Sequence, residues 1–136
     1  MEFTEKYKLK LVSLKAALAD FEAAMALDTS RYSLDVADLL KNGQIQKFEV
    51  CTDLLWKTIR LYLYEKDGIE ANSPKQVIRD FFNAGHLGEA DFFGTIDMIN
   101  DRNLVSHVYR HELFEQIHSK LDANLSIMKN ILEQMT

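Results

Sequence analysis

A chain of 136 residues is long enough to bury one hydrophobic core but short for two, so the sequence predicts a single domain over residues 1–136. Its five glycines and one proline favour long helices over a turn-rich β fold. The formal net charge of −5 argues against indiscriminate binding of nucleic acid, because phosphate attraction needs a basic face.

The first predicted element is a helix over residues 3–27. Apolar side chains recur there at steps of three and four, which places them on one face of a helix, and charged residues fill the other face. The members of this stripe are Phe3, Tyr7, Leu11, Leu14, Leu18, Phe21 and Met25. We interpret the stripe as part of the core.

The pattern between residues 28 and 63 predicts two helical segments. Residues 28–44 are less regular but could form a short helix, after which Asn42-Gly43 breaks the chain or caps the next helix. From Ile45 the helical period returns and continues to Leu63, and Asp67-Gly68 is a plausible C-terminal stop.

Three further helices are predicted downstream. Ser73-Pro74 starts one, since Ser73 can cap, proline suits the first helical position, and Gln76 completes a capping box. A fourth helix follows the turn at residues 85–88 and runs into residues 102–109. A last helix, with His111 and His118 on its solvated face, carries an apolar stripe: Phe114, Ile117, Leu121, Leu125, Met128, Leu132 and Met135.

These elements predict an all-α fold, an antiparallel up-and-down four-helix bundle with short extra helices. Stripes this wide leave apolar surface over, and a homodimer would cover it. No stretch of 18 residues is free of charge, so no membrane span is expected. The lone Cys51, the lack of a signal-peptide pattern and the lack of zinc-ligand spacing predict a cytoplasmic protein without metal or cofactor.

Polar and reactive groups are concentrated in residues 102–109. In a continuous helix, Arg102, Ser106 and Tyr109 would share one face, and Asn103 and His107 would form the neighbouring row. Arginine suits phosphate, histidine can move a proton near pH 7, and a tyrosine hydroxyl can accept a transferred group. On this pattern alone a structural role remains open, because such an arginine is often only solvated.

Glu49 stands among the inward positions of the helix that starts at Ile45. Two interpretations remain open: a buried ion-pair partner for Arg102, or a functional carboxylate.

Three segments resemble the nucleotidyltransferase substrate-binding family of the HEPN superfamily. They are Asn42-Gly43-Gln44-Ile45-Gln46-Lys47-Phe48-Glu49 with Asp53-Leu54-Leu55-Trp56-Lys57, Ser73-Pro74-Lys75-Gln76-Val77-Ile78-Arg79, and Asp101-Arg102-Asn103-Leu104-Val105-Ser106-His107-Val108-Tyr109. They occur in the family's order and span residues 42–109. The resemblance implies an all-α bundle that dimerises around the helix with Arg-x4-His and a complex with a minimal nucleotidyltransferase.

The resemblance also implies a chemistry. In the related HepT-like toxins, the motif arginine and histidine form a metal-independent ribonuclease site, and the partner nucleotidyltransferase adenylylates the motif tyrosine. Carried over, Arg102 and His107 would be the catalytic pair, with Asn103 in support and Tyr109 as the modified hydroxyl; Ser106 and Glu49 complete the candidate site.

The sequence leaves three functions in competition. A HEPN ribonuclease toxin would cleave RNA and lose that activity in His107→Ala. A non-catalytic subunit that binds a nucleotide or another substrate for the nucleotidyltransferase would form a complex without cleavage. A purely structural helical dimer would be favoured if Arg102 and His107 were buried and paired internally.

Overall fold

The computed structural model describes residues 2–106 and 111–136, and these residues form α-helices joined by short connections, without a strand among them. The helices are α1 (Glu5–Met25), α2 (Leu34–Asp67), α3 (Pro74–Asn83), α4 (Glu89–Val105), α5 (His111–His118) and α6 (Leu121–Met135). A single 3-10 turn, Thr29–Arg31, precedes α2. The prediction of an all-α fold is confirmed.

The first helix agrees with its sequence pattern. Thr4 is the N-cap residue, and its hydroxyl accepts a hydrogen bond from the backbone N–H of Tyr7 at 3.3 Å. The buried residues of α1 all belong to the predicted stripe: Tyr7, Leu14, Leu18 and Phe21. The Tyr7 hydroxyl donates to the carbonyl of Met135 at 3.1 Å, which ties α1 to the end of α6.

The prediction of a break at Asn42-Gly43 is wrong, because α2 runs without interruption through both residues over 34 residues, about 51 Å. Asn42 donates its side-chain N–H to the carbonyl of Asp38 at 2.8 Å, so its amide is satisfied within the helix. A helical glycine costs about 1 kcal/mol relative to alanine, and burial of the following Ile45 and Phe48 against the core offsets that cost.

The C-terminal end of α2 and the start of α3 were predicted at the right residues. Gly68 ends α2 in the left-handed conformation at φ 69°, and its N–H bonds back to the helix. Pro74 occupies the first turn of α3 after Ser73. The prediction of a capping box is wrong, because the Ser73 side chain makes no capping hydrogen bond and the Gln76 side chain donates instead to Asp80 Oδ1 at 2.8 Å.

The predicted last helix is two helices, α5 and α6. The chain turns at Ser119 and Lys120, where the N–H of Lys120 donates to the carbonyl of Ile117 at 3.1 Å. This bond spans three residues instead of the four of an α-helix, so the turn is tighter. The Lys120 ammonium lies 2.9 Å from Asp101 of α4. The apolar stripe continues from Ile117 to Leu121 across the turn, so the apolar spacing alone could not reveal the break.

The second helix organises the core, because it packs against α1, α3, α4, α5 and α6. Residues 42–53 of α2 face the end of α4 and the α5 helix, and that junction contains the candidate site. Among the described helices, none combines the length and apolarity needed to cross a bilayer.

Candidate functional site

Arg102 lies in the last turn of α4 and reaches across to α2. Its Nε and Nη2 atoms donate to Oδ1 and Oδ2 of Asp53, each at 3.1 Å, which is a two-pronged pairing of guanidinium and carboxylate. Its Nη1 donates to Ser106 Oγ at 2.8 Å and lies 3.1 Å from Glu49 Oε2. These four residues, Arg102, Glu49, Asp53 and Ser106, are called the Arg102 cluster below.

The helical period explains the arrangement of the cluster. Glu49 and Asp53 are four residues apart, so both carboxylates project from one face of α2. Arg102 and Ser106 have the same spacing, with Ser106 as the C-terminal cap residue of α4. The guanidinium therefore receives two acceptors from α2 and one from its own helix.

Charge and partial burial set the protonation of this cluster. The side chains of Arg102, Glu49 and Asp53 are 25%, 28% and 41% exposed. The hydrogen bond to Asp53 raises the pKa of Arg102 further, although desolvation opposes the rise. The pKa of Glu49 is raised, because burial and the negative charge of Asp53 together outweigh the guanidinium of Arg102, which lowers it. With both carboxylates ionised, one cation faces two anions, and the net charge of the cluster is negative.

Similar proteins identify the family. Residues 9–136 match the family described as nucleotidyltransferase substrate binding protein like. The chain belongs to this family. A structure from Thermus thermophilus shares the fold with a TM-score of 0.80 and 30% identity, over 90% of this chain and 98% of that chain.

A second structure, from Haemophilus influenzae, is described as revealing the fold of a substrate binding domain of a nucleotidyltransferase. It superposes with a TM-score of 0.76 and 25% identity, over 92% of this chain and 98% of the other. Among curated proteins, no sequence matches the chain significantly. The family assignment confirms the resemblance of the three segments to the nucleotidyltransferase substrate-binding family.

Two of those family segments meet in space. Asp53 and Glu49 belong to the segment on α2, and Arg102 and Ser106 to the segment at the end of α4, about fifty positions later. The first interpretation of Glu49, as an ion-pair partner of Arg102, agrees with the contact at 3.1 Å. Sequence reasoning missed Asp53, although its spacing of four from Glu49 was the signal that could have found it.

Of the remaining predicted site residues, the structure describes Asn103 but not His107 or Tyr109. Asn103 is exposed on α4. The prediction that the fourth helix runs into residues 102–109 is confirmed, because α4 ends at Val105; His107 and Tyr109 lie outside the described residues. Arg102 is paired internally, as the structural-dimer hypothesis requires, yet a quarter of its side chain remains exposed.

His118 differs from its predicted place on a solvated face. Its Nε2 lies 2.6 Å from the side-chain oxygen of Gln44, and the ring is partly buried between α5 and α2. Desolvation and the charge of Lys41 lower the pKa of His118, with Glu115 and Asp122 opposing. Within the described ranges, no group of three or more His, Cys, Asp or Glu side chains could hold a metal ion.

Proposed function

We propose that the chain is the partner subunit of a minimal nucleotidyltransferase and a HEPN-type toxin, a metal-independent ribonuclease that the partner silences by adenylylating Tyr109. The Arg102 cluster carries the proposal. Two separate family segments converge on a single oriented arginine there, five positions before the candidate base His107. An arginine held on both sides and left partly exposed is suited to bind a phosphate.

The proposed reaction needs only groups that the chain supplies. His107 takes the proton of an RNA 2′-hydroxyl, the 2′-oxygen attacks phosphorus, and the bond to the 5′-oxygen breaks. The products are a 2′,3′-cyclic phosphate and a 5′-hydroxyl whose proton comes from an imidazolium, and no water is consumed. Arg102 stabilises the charge on the phosphorus oxygens through its guanidinium, and the Arg102 side chain is 25% exposed.

Silencing follows from the same electrostatics. The hydroxyl of Tyr109 attacks the α-phosphorus of ATP in the partner's active site, and pyrophosphate leaves. The tyrosine then carries an anionic phosphate two positions from His107 in the sequence. That phosphate competes with RNA for the cation of Arg102.

The proposal includes a homodimer, supported by large apolar side chains left exposed on α1, α2 and α4. Leu34 at the start of α2 is 89% exposed, and Leu9, Leu39 and Phe93 are also exposed. Light scattering on the purified chain tests this part, and a mass of two protomers is expected.

One observation favours a second function, a non-catalytic binding subunit of the nucleotidyltransferase. The two carboxylates of the Arg102 cluster already neutralise its guanidinium, and their excess negative charge opposes an approaching phosphate. In that case the chain would bind a substrate for its partner without cleaving RNA.

The deciding experiment is cleavage of defined RNA by the purified chain in the presence of a chelator. We expect cleavage by the wild type and a loss of at least about 100-fold in Arg102→Ala and in His107→Ala. Arg79→Ala and His111→Ala are the matched controls, because both residues are exposed outside the cluster, and they should retain the activity.

Each result has a distinct meaning. Equal cleavage by the wild type and Arg102→Ala would refute the assigned site. No cleavage by a folded wild-type chain would refute the ribonuclease and favour the binding subunit. Incubation with the partner and ATP should add the mass of one or more AMP groups, and Tyr109→Phe should block that addition; a modified Tyr109→Phe would place the modification elsewhere.

A further inference from the structure

A cavity of about 130 Å³ lies beside the Arg102 cluster, between α2, the end of α4, and α5. The described residues that line it are Asn42, Ile45, Glu49, Val105, Phe114 and Ile117. Four of these side chains are apolar, and the two polar ones belong to the same face of α2. A mostly apolar pocket with a few convergent polar groups is the usual form of a small-ligand site.

The size of the cavity selects the ligand. The cavity of about 130 Å³ is slightly smaller than an apolar cavity of about 150 Å³ that holds benzene, so the fused rings of a purine exceed it and a single six-membered ring is the largest base that could insert an edge. Phe114 supplies an aromatic side chain, and such side chains are the usual stacking partners of unstacked RNA bases. Among the RNA bases, this limit on size favours a pyrimidine.

The polar groups select between the pyrimidines. Glu49 borders the cavity, and its Oε2 lies 3.1 Å from Nη1 of Arg102. A carboxylate accepts a hydrogen bond from the 4-amino group of cytosine, whereas uracil presents a carbonyl oxygen at the same position. Asn42 can contribute a further amide contact, since only one of its N–H groups donates to Asp38.

We propose that this cavity binds the pyrimidine base of an RNA nucleotide, with a preference for cytosine that Glu49 sets, and that it directs the adjoining phosphate to Arg102. This inference rests on the proposed function in one respect, that the ligand is RNA. Glu49 thus links base selection to phosphate binding, because one carboxylate contacts both the cavity and the guanidinium.

The test is binding, measured by calorimetry, of cytidine 3′-monophosphate and uridine 3′-monophosphate to the purified full chain. We expect the wild type to prefer the cytidine nucleotide by about tenfold. In Glu49→Gln the side-chain amide can donate to the 4-carbonyl of uracil, so the preference should vanish or reverse. A ratio unchanged in Glu49→Gln would overturn the inference.

A second pair of variants tests the cavity without altering charge. Val105→Phe places a ring into the cavity and should abolish binding of both nucleotides. Leu104→Phe is its matched control, since Leu104 is the neighbouring residue, is exposed and lies outside the lining, and it should bind as the wild type does. Equal binding by the two variants would place the nucleotide elsewhere.

Binding and cleavage separate this inference from the function on which it rests. A preference for cytidine in a chain that cleaves no RNA would retain the pocket and refute the ribonuclease. Cleavage of RNA with no difference between cytidine and uridine sites would retain the ribonuclease and refute the pocket.

Discussion

The coupling between Arg102 and Asp53 can be measured as a free energy. Two hydrogen bonds of 3.1 Å join the guanidinium to both carboxylate oxygens, and the two side chains are 25% and 41% exposed. Arg102→Met removes the cation but keeps much of the aliphatic length, and Asp53→Asn removes the anion but keeps the shape. Together with the double variant they form a thermodynamic cycle that isolates the pair.

The expected magnitude lies between two limits. Hydrogen bonds to charged groups contribute about 1.5–3 kcal/mol, whereas exposed ion pairs contribute about 0–1 kcal/mol. Because the pair is only partly shielded from water, we expect a coupling of about 1.5 kcal/mol. Arg102→Met also leaves Glu49 and Asp53 facing each other without a cation. We therefore expect it to lower the free energy of unfolding by about 2 kcal/mol, which is about 7 °C in Tm for a domain of this length.

The assay is urea unfolding of the four proteins, followed by circular dichroism. Lys47 and Asp20 are the matched control pair, because their charges are 3.9 Å apart and their side chains are 48% and 70% exposed. The same cycle with Lys47→Met and Asp20→Asn should give a coupling below about 0.5 kcal/mol. If the Arg102 cycle gave no more than this control, the claim that α2 holds the guanidinium in place would be refuted.

Two further predictions concern glycine and pH. Gly68→Ala should destabilise the chain by about 1 kcal/mol, because φ is 69° at that position. Gly43→Ala should stabilise the chain by a similar amount, since Gly43 is helical and has open space around it. Urea unfolding measures both changes, and equal changes in the free energy of unfolding would contradict the prediction. The pKa of His118 is lowered on folding, so the unfolded chain binds the proton more readily, and stability should fall as the pH drops through about 6.5. His118→Gln should weaken that dependence in melting curves at pH 5.5 and 7.5; an unchanged slope would exclude His118 as its source.

The helices show which local signals are sufficient. The stripe from Phe3 to Met25 and the stop at Gly68 were predicted because the period of apolar residues and the preference of glycine for positive φ are properties of the local chain. Asn42-Gly43 was misread as a break because local propensity is weak, at about 1 kcal/mol, compared with the packing of a central helix. The turn at Lys120 was missed because the apolar spacing continues through it.

The sequence by itself determined the helical class and the family and singled out Arg102 as a candidate residue, since periodicity, composition and motif order are all local to the chain. Only the tertiary structure decided what Arg102 contacts. Glu49 and Asp53 are about fifty residues away in the sequence, and no local rule relates them to α4. Their contact follows from how α2 and α4 pack, and so does the cavity that Glu49 shares with Phe114. The chemistry of a side chain is set by its residue type, but which side chains lie next to it is set by how the whole chain packs.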